Sequence, residues 1–222
     1  MFFRDLDGNL RCGLPDFNLE GGRVKKWAIK DLSYFIGGRD VDLPDNVWDL
    51  EIQEAFEEWE AVADLRFSRC NNKEEAHIVI EIGEGEESHF DGAGGTLAWA
   101  YLPPSDSYNG QLMMKFDIAE FWITAPSQPG ILLKNVAAHE IGHILGLNHS
   151  DQDGALMSPH YDKNIAEPQE IDDISRIQEL YGNPNKETIE CLLKKKKKRE
   201  IRREKRREKS AQRKEGNGES TK

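Results

Sequence analysis

The 222-residue sequence holds no run of about 18 apolar residues, and so offers no helix able to span a bilayer. It has only three cysteines, Cys12, Cys70 and Cys191. They are too few and too scattered for a disulfide framework, and their odd number leaves at least one thiol unpaired. The start, MFFRDLDGNLRCGLPD, lacks the basic region, long apolar stretch and small-residue cleavage site of a secretory signal. Nothing in it directs export, and either a leaderless chain or a piece of a longer one is expected. Charge is unevenly spread: residues 191–222 hold 15 of the 30 basic residues and 5 of the 41 acidic ones, a tail of +10 on a body of −21. A body that acidic argues against nucleic acid as a partner, whereas the tail can attract an anionic glycan or another polyanion.

What is present is enough apolar sequence, 37% of residues, for one domain core. Residues 1–22, punctuated by glycine and proline, read as an irregular leader, residues 23–183 as the folded domain, and residues 184–222 as a disordered or single-helix basic tail. Five segments have strand character: DLSYFI (31–36), LRFS (65–68), HIVIEI (77–82), TLAWAY (96–101) and QLMMKF (111–116). Three more are helical. Trp48, Ile52, Ala55, Phe56, Trp59 and Val62 recur at three- and four-residue steps, and a second helical pattern from Ile131 to Leu145 is stopped by Gly146. The third starts at Asp172, a residue able to cap it, and ends before Gly182 and Pro184. The expected fold class is α+β, a mixed, twisted five-stranded sheet packed with three helices.

Residues 139–149 read HEIGHILGLNH. On a helix His139 and His143 lie one turn apart and face the same way, so both imidazoles can bind one metal. Gly146 lets the chain bend back and bring His149 in as a third ligand, leaving a fourth position for water. A zinc ion so held lowers the pKa of its water toward about 7 and stabilises an oxyanion, and Glu140 is placed to act as general base and then return the proton to a leaving amine. The spacing therefore predicts a zinc-dependent metalloendopeptidase acting on protein or peptide substrates. A rival reading is a catalytically silent zinc-fold binding module with a polyanion-binding tail; the presence of Glu140 speaks against it.

The motif followed by ALM (155–157), with Ser150 after the last histidine and SPHY after the turn, resembles the matrixins, the matrix metalloproteinase branch of the metzincin zinc peptidases. RCGLPD (11–16), KKWAIKDLSYFI and IDDISRIQELYG extend the resemblance from Arg11 to Gly182. It implies a zincin catalytic domain, an extracellular setting, and a methionine, Met157, in a turn beneath the metal. It makes Cys12 a zinc ligand of a latent form, with residues 1–22 a truncated pro-segment. Asp91, Asp117 and Glu120 match carboxylate ligands of one calcium. The positions of the family's structural zinc fall on Glu84, Glu86, Trp99 and Lys115, and neither Trp99 nor Lys115 can ligate zinc, so one zinc per chain is expected. A substrate peptide is expected to pair with the TLAWAY edge through Leu97 and Ala98, with its next side chain in a pocket lined by Val136, His139, Pro159 and Tyr161.

Overall fold

The alternating apolar positions of DLSYFI turn Leu32, Tyr34 and Ile36 into the core as strand β1, Asp31–Ile36. The computed structural model describes residue 12 and residues 25–201. Around β1 it builds a five-stranded sheet from β2 (Arg66–Arg69), β3 (Ile78–Gly83), β4 (Ala98–Ala100) and β5 (Leu112–Asp117), in the order β2-β1-β3-β5-β4. The first four strands run parallel, and β4 lies antiparallel to β5 as an edge strand. A short parallel pair, β6 (Trp122–Ile123) and β7 (Ile131–Leu132), lies outside this sheet. The expected α+β class with a five-stranded mixed sheet holds; β1 has the limits read in the sequence, and those of the other strands differ by one or two residues.

Parallel neighbours need a crossover, and helix α1 (Asp45–Val62) supplies the one between β1 and β2. Its apolar stripe, Trp48, Ile52, Phe56 and Trp59, is fully buried, with Phe56 stacked on Tyr34 of β1 at 4.4 Å. Helix α2 (Leu133–Ile144) is buried along nearly its whole length and is tied to α1 by a bond from Trp59 Nε1 to Ala138 O of 2.8 Å. The helical pattern began two residues earlier in the sequence, but Ile131 and Leu132 pair with β6 instead. After α2 the chain turns at Gly146, with φ of +101°. A side chain there would be strained and would strike Lys25 O.

Helix α3 (Asp173–Tyr181) closes the domain: Tyr181 Oη donates to Leu145 O at 2.8 Å and accepts from Trp27 N at 3.1 Å. Asp172 sits at its N-cap position but makes no capping bond. Its carboxylate accepts from Arg176 Nη1 instead, at 2.7 Å, and the following aspartate takes the local role described below. The chain divides into two units, residues 1–184 and 185–222. In the second, residues 186–201 are helical. No helix among the described residues is long and apolar enough to cross a membrane.

Candidate metal centre

Helix α2 presents His139 and His143 one turn apart, and the turn at Gly146 returns His149 to face them. His143 Nε2 lies 3.1 Å from His139 Nε2 and 3.2 Å from His149 Nε2. Tetrahedral ligands each about 2.0–2.1 Å from one zinc stand about 3.3 Å apart, so His143 stands from each of the other two at the separation that one such ion requires. The other side of two rings fixes their tautomers. His139 Nδ1 lies 2.8 Å from Leu156 O and His143 Nδ1 2.8 Å from Leu147 O. A carbonyl only accepts, so each Nδ1 carries the hydrogen and each Nε2 turns a lone pair to the common point. Burial pushes the pKa of His139 down to about 3 and that of His143 well below its ordinary value, with neighbouring histidines adding to both shifts.

Cys12 completes this group. Its sulfur and one nitrogen from each histidine all lie within 4.8 Å of one another, and among the described residues they form the one group of three or more such ligands suited to a metal. Glu140 is fully buried beside them, both carboxylate oxygens lacking a hydrogen bond of full geometry. Burial pushes its pKa up to about 8, with the Cys12 thiol opposing the shift. A carboxyl held ready next to the metal position, and not spent on a structural partner, is what proton transfer needs.

Beneath the histidines, fully buried Met157 packs against α2 so closely that a Cβ at residue 142 would collide with its sulfur and with the Trp59 ring. Gly142 is thereby required by contact. The turn that carries Met157 is held by a residue absent from the sequence-based expectations: Asp173, fully buried, accepts from Leu156 N at 2.7 Å, Met157 N at 3.1 Å and Gln169 N at 2.9 Å. Leu156 is also the residue whose carbonyl orients His139. Only the acidic helix start in the sequence hinted at this role, and it pointed equally to Asp172.

A cavity runs from Cys12, His139 and Glu140 to Leu97, Val136, Pro159 and Tyr161, which brings together the expected pocket residues. Asn135 and Ile165 line it as well and were not anticipated. At the β4 edge, Asp117 N donates to Leu97 O at 3.0 Å and Tyr101 N to Met113 O at 3.1 Å. In an antiparallel ladder the intervening positions alternate, so the main-chain groups of Ala98 and Ala100 face away from β5. Leu97 has thus committed its carbonyl to the sheet, and Ala98 stands at the outward edge.

Asp91, Asp117 and Glu120 meet around the loop that precedes β4 without forming a metal group as tight as that of the histidines. Asp91 Oδ1 accepts from Thr96 N at 2.7 Å, Glu120 Oε1 from Gly94 N at 2.7 Å and Asp117 Oδ1 from Ala119 N at 2.8 Å. Asp117 Oδ2 is buried with no partner. Burial raises the pKa of Asp117 and Glu120, and neighbouring carboxylates, Asp91 among them, raise both further.

Where the family's structural zinc would lie, Trp99 and Lys115 are cross-strand partners, with Lys115 Nζ 5.8 Å from the centre of the indole and 3.9 Å from Glu81 Oε2. Trp99 Nε1 donates to Ser88 O at 2.8 Å and His89 approaches the same indole edge-on at 6.0 Å. His77 is engaged elsewhere, its Nδ1 accepting from Ser33 N at 3.0 Å.

A family model described as Matrixin matches residues 26–182. The chain is 42% identical to Stromelysin-2 of Rattus norvegicus over 183 residues and 40% identical to Matrix metalloproteinase-18 of Xenopus laevis over 181. It is 38% identical to Neutrophil collagenase of Homo sapiens over 182 residues. Each comparison covers 78% of this chain and 37% of the relative, so the chain spans little more than a third of the length of these curated proteins.

Proposed function

Because the chain belongs to the matrixin family, we propose that it is a zinc metalloendopeptidase that hydrolyses internal peptide bonds of extracellular matrix or secreted proteins. The observation that carries this is the convergence of three histidine Nε2 atoms beside a buried glutamate left without a structural partner. His139, His143 and His149 hold one zinc, which when bound supplies a Lewis acid and a water acidic enough to react near neutral pH. Glu140 takes the proton of the attacking water and delivers it to the departing amine nitrogen as the C–N bond breaks. The peptide lies along the β4 edge, its main chain meeting Ala98 with Leu97 beside it. The side chain after the scissile bond enters the cavity between Val136, Pro159 and Tyr161.

Two further features belong to this reading. Cys12, through a thiolate aimed at the fourth position, blocks the water site, so residues 1–22 act as an inhibitory segment. Asp91, Asp117 and Glu120 hold one calcium together with carbonyls of the glycine-rich loop, the orphaned Asp117 Oδ2 being the oxygen that most needs it. The zinc count is one, since a lysine and a tryptophan occupy the second family site. Cleavage of a generic quenched peptide tests the proposal. It is expected to stop on chelation and return with added zinc, and hydrolysis that persists without metal would contradict it.

A further inference from the structure

We infer that Arg176, on α3, is a positioning residue for the third metal ligand: together with Asp172 it clamps the main chain around His149 and so sets how tightly the three histidines hold zinc. The inference rests on the zinc site proposed above and adds to it a residue outside the HEIGHILGLNH motif.

His139 and His143 are placed by the hydrogen bonds of their own helix. His149 is not: it follows the turn at Gly146, in a stretch without regular secondary structure, and is only half-buried. Its position depends on what holds the main chain on either side. Leu147 is tied to α2, its N–H donating to Gly142 O at 2.9 Å and its carbonyl lying 2.8 Å from His143 Nδ1. On the far side, Ser150 N donates to Met157 O at 2.8 Å. Between these ties Arg176 Nη2 donates to Asn148 O at 2.8 Å, across 28 residues of sequence. That carbonyl belongs to the peptide group leading directly into His149.

The other arm of the guanidinium meets Asp172 Oδ2 from Nη1 at 2.7 Å, one turn earlier on α3. A helix-surface pair at this spacing contributes little by itself. Here the planar fork serves a carboxylate and a carbonyl at once, in one fixed geometry. Asp172 is engaged on a second side: burial pushes its pKa up, and hydrogen bonds from Ser150 and Arg176 outweigh burial and hold the carboxylate below its ordinary value. The residue before His149 and the residue after it are thereby linked through one ion pair. The charge of Arg176 is also felt at His143, where it adds to the lowering of the pKa that burial begins. By charge alone Arg176 opposes a zinc ion, so its removal weakens zinc binding only if its hold on Asn148 O outweighs that repulsion.

The experiment measures zinc affinity by competition with a chromogenic chelator, in the Cys12→Ser protein so that the histidines alone hold the ion. Arg176→Met keeps the apolar stem and removes both donors. It is expected to raise the zinc Kd about tenfold, the low end of what losing a contact behind a metal ligand costs. Asp172→Ala is expected to raise it too, and the double variant by no more than the larger single change, because the two residues act as a unit. Lys26→Met controls for stability: it removes the bond from Lys26 Nζ to Leu180 O, 2.8 Å long at the other end of α3, and is expected to leave zinc affinity unchanged. An Arg176→Met protein that binds zinc as tightly as its parent, or more tightly, overturns the inference, as does an equal loss in Lys26→Met. Failure of the Cys12→Ser parent to bind zinc overturns the peptidase reading, and this inference with it.

Discussion

Glu140 and Cys12 show how much a single residue's setting decides. Each is a common residue made unusual by its neighbours: the glutamate buried without a full hydrogen bond, the thiol within 4.8 Å of one nitrogen from each of three imidazoles. A sulfur in that position competes with water for the metal. Cys12→Ser is therefore expected to raise the initial rate of peptide hydrolysis about tenfold or more, the effect of removing a blocking contact worth at least about 1.4 kcal/mol. Equal rates for the two proteins would remove Cys12 from the account. Both residues were legible in the sequence, because each stands inside a short motif whose spacing carries its chemistry. Asn135 was not, since nothing about an asparagine one residue before Val136 says that it lines the cavity.

At the scale of elements, the metal group depends on a chain of contacts that crosses three of them. Asp173 at the start of α3 holds the amides of Leu156 and Met157, and Leu156 O fixes the ring of His139 on α2. Asp173→Ala leaves two buried donors and one half-buried donor without a charged acceptor, at a cost of about 3 kcal/mol. For a domain of this size that corresponds to a fall in Tm of about 6–12 °C. Because the lost bonds lie behind a metal ligand, zinc affinity is expected to fall in the same variant; thermal scans with and without zinc measure both. A variant as stable and as tight for zinc as the parent would show that the turn holds itself. Helix and strand identities were readable from periodicity, since each buries one face. The Asp173 contacts were not, because residues 16 and 17 apart meet only once α3 has docked. Asp172, first in the sequence, pairs instead with Arg176 one turn further along the helix.

For the whole molecule, the question is which ions the folded domain needs. Trp99 and Lys115 lie opposite each other on β4 and β5, where an ion pair and a cation–π contact already link neighbouring strands. Neither residue type can ligate zinc, which is why the sequence leads to the expectation of a single zinc ion. What the side chains do instead, stacking the ammonium over the indole, required the strand register. The carboxylates around the loop are the opposite case: burial raises the pKa of Asp117 and of Glu120, the charge of Asp91 adds to both shifts, and Asp117 Oδ2 has no partner. Calcium at about 100 times its Kd is expected to stabilise the domain by about 2.7 kcal/mol, a rise in Tm of about 5–11 °C. Asp117→Asn is expected to abolish most of that rise, and a calcium response unaltered by the substitution would assign the ion elsewhere.

The central claim is that a zinc held by three histidines works with Glu140 as its general base. It is tested most directly by comparing Cys12→Ser with Cys12→Ser/Glu140→Ala, measuring bound zinc and peptide hydrolysis on the same samples. The account predicts one zinc per chain in both proteins and a rate about 10²–10⁴-fold lower in the second. Equal rates at equal zinc content would contradict it.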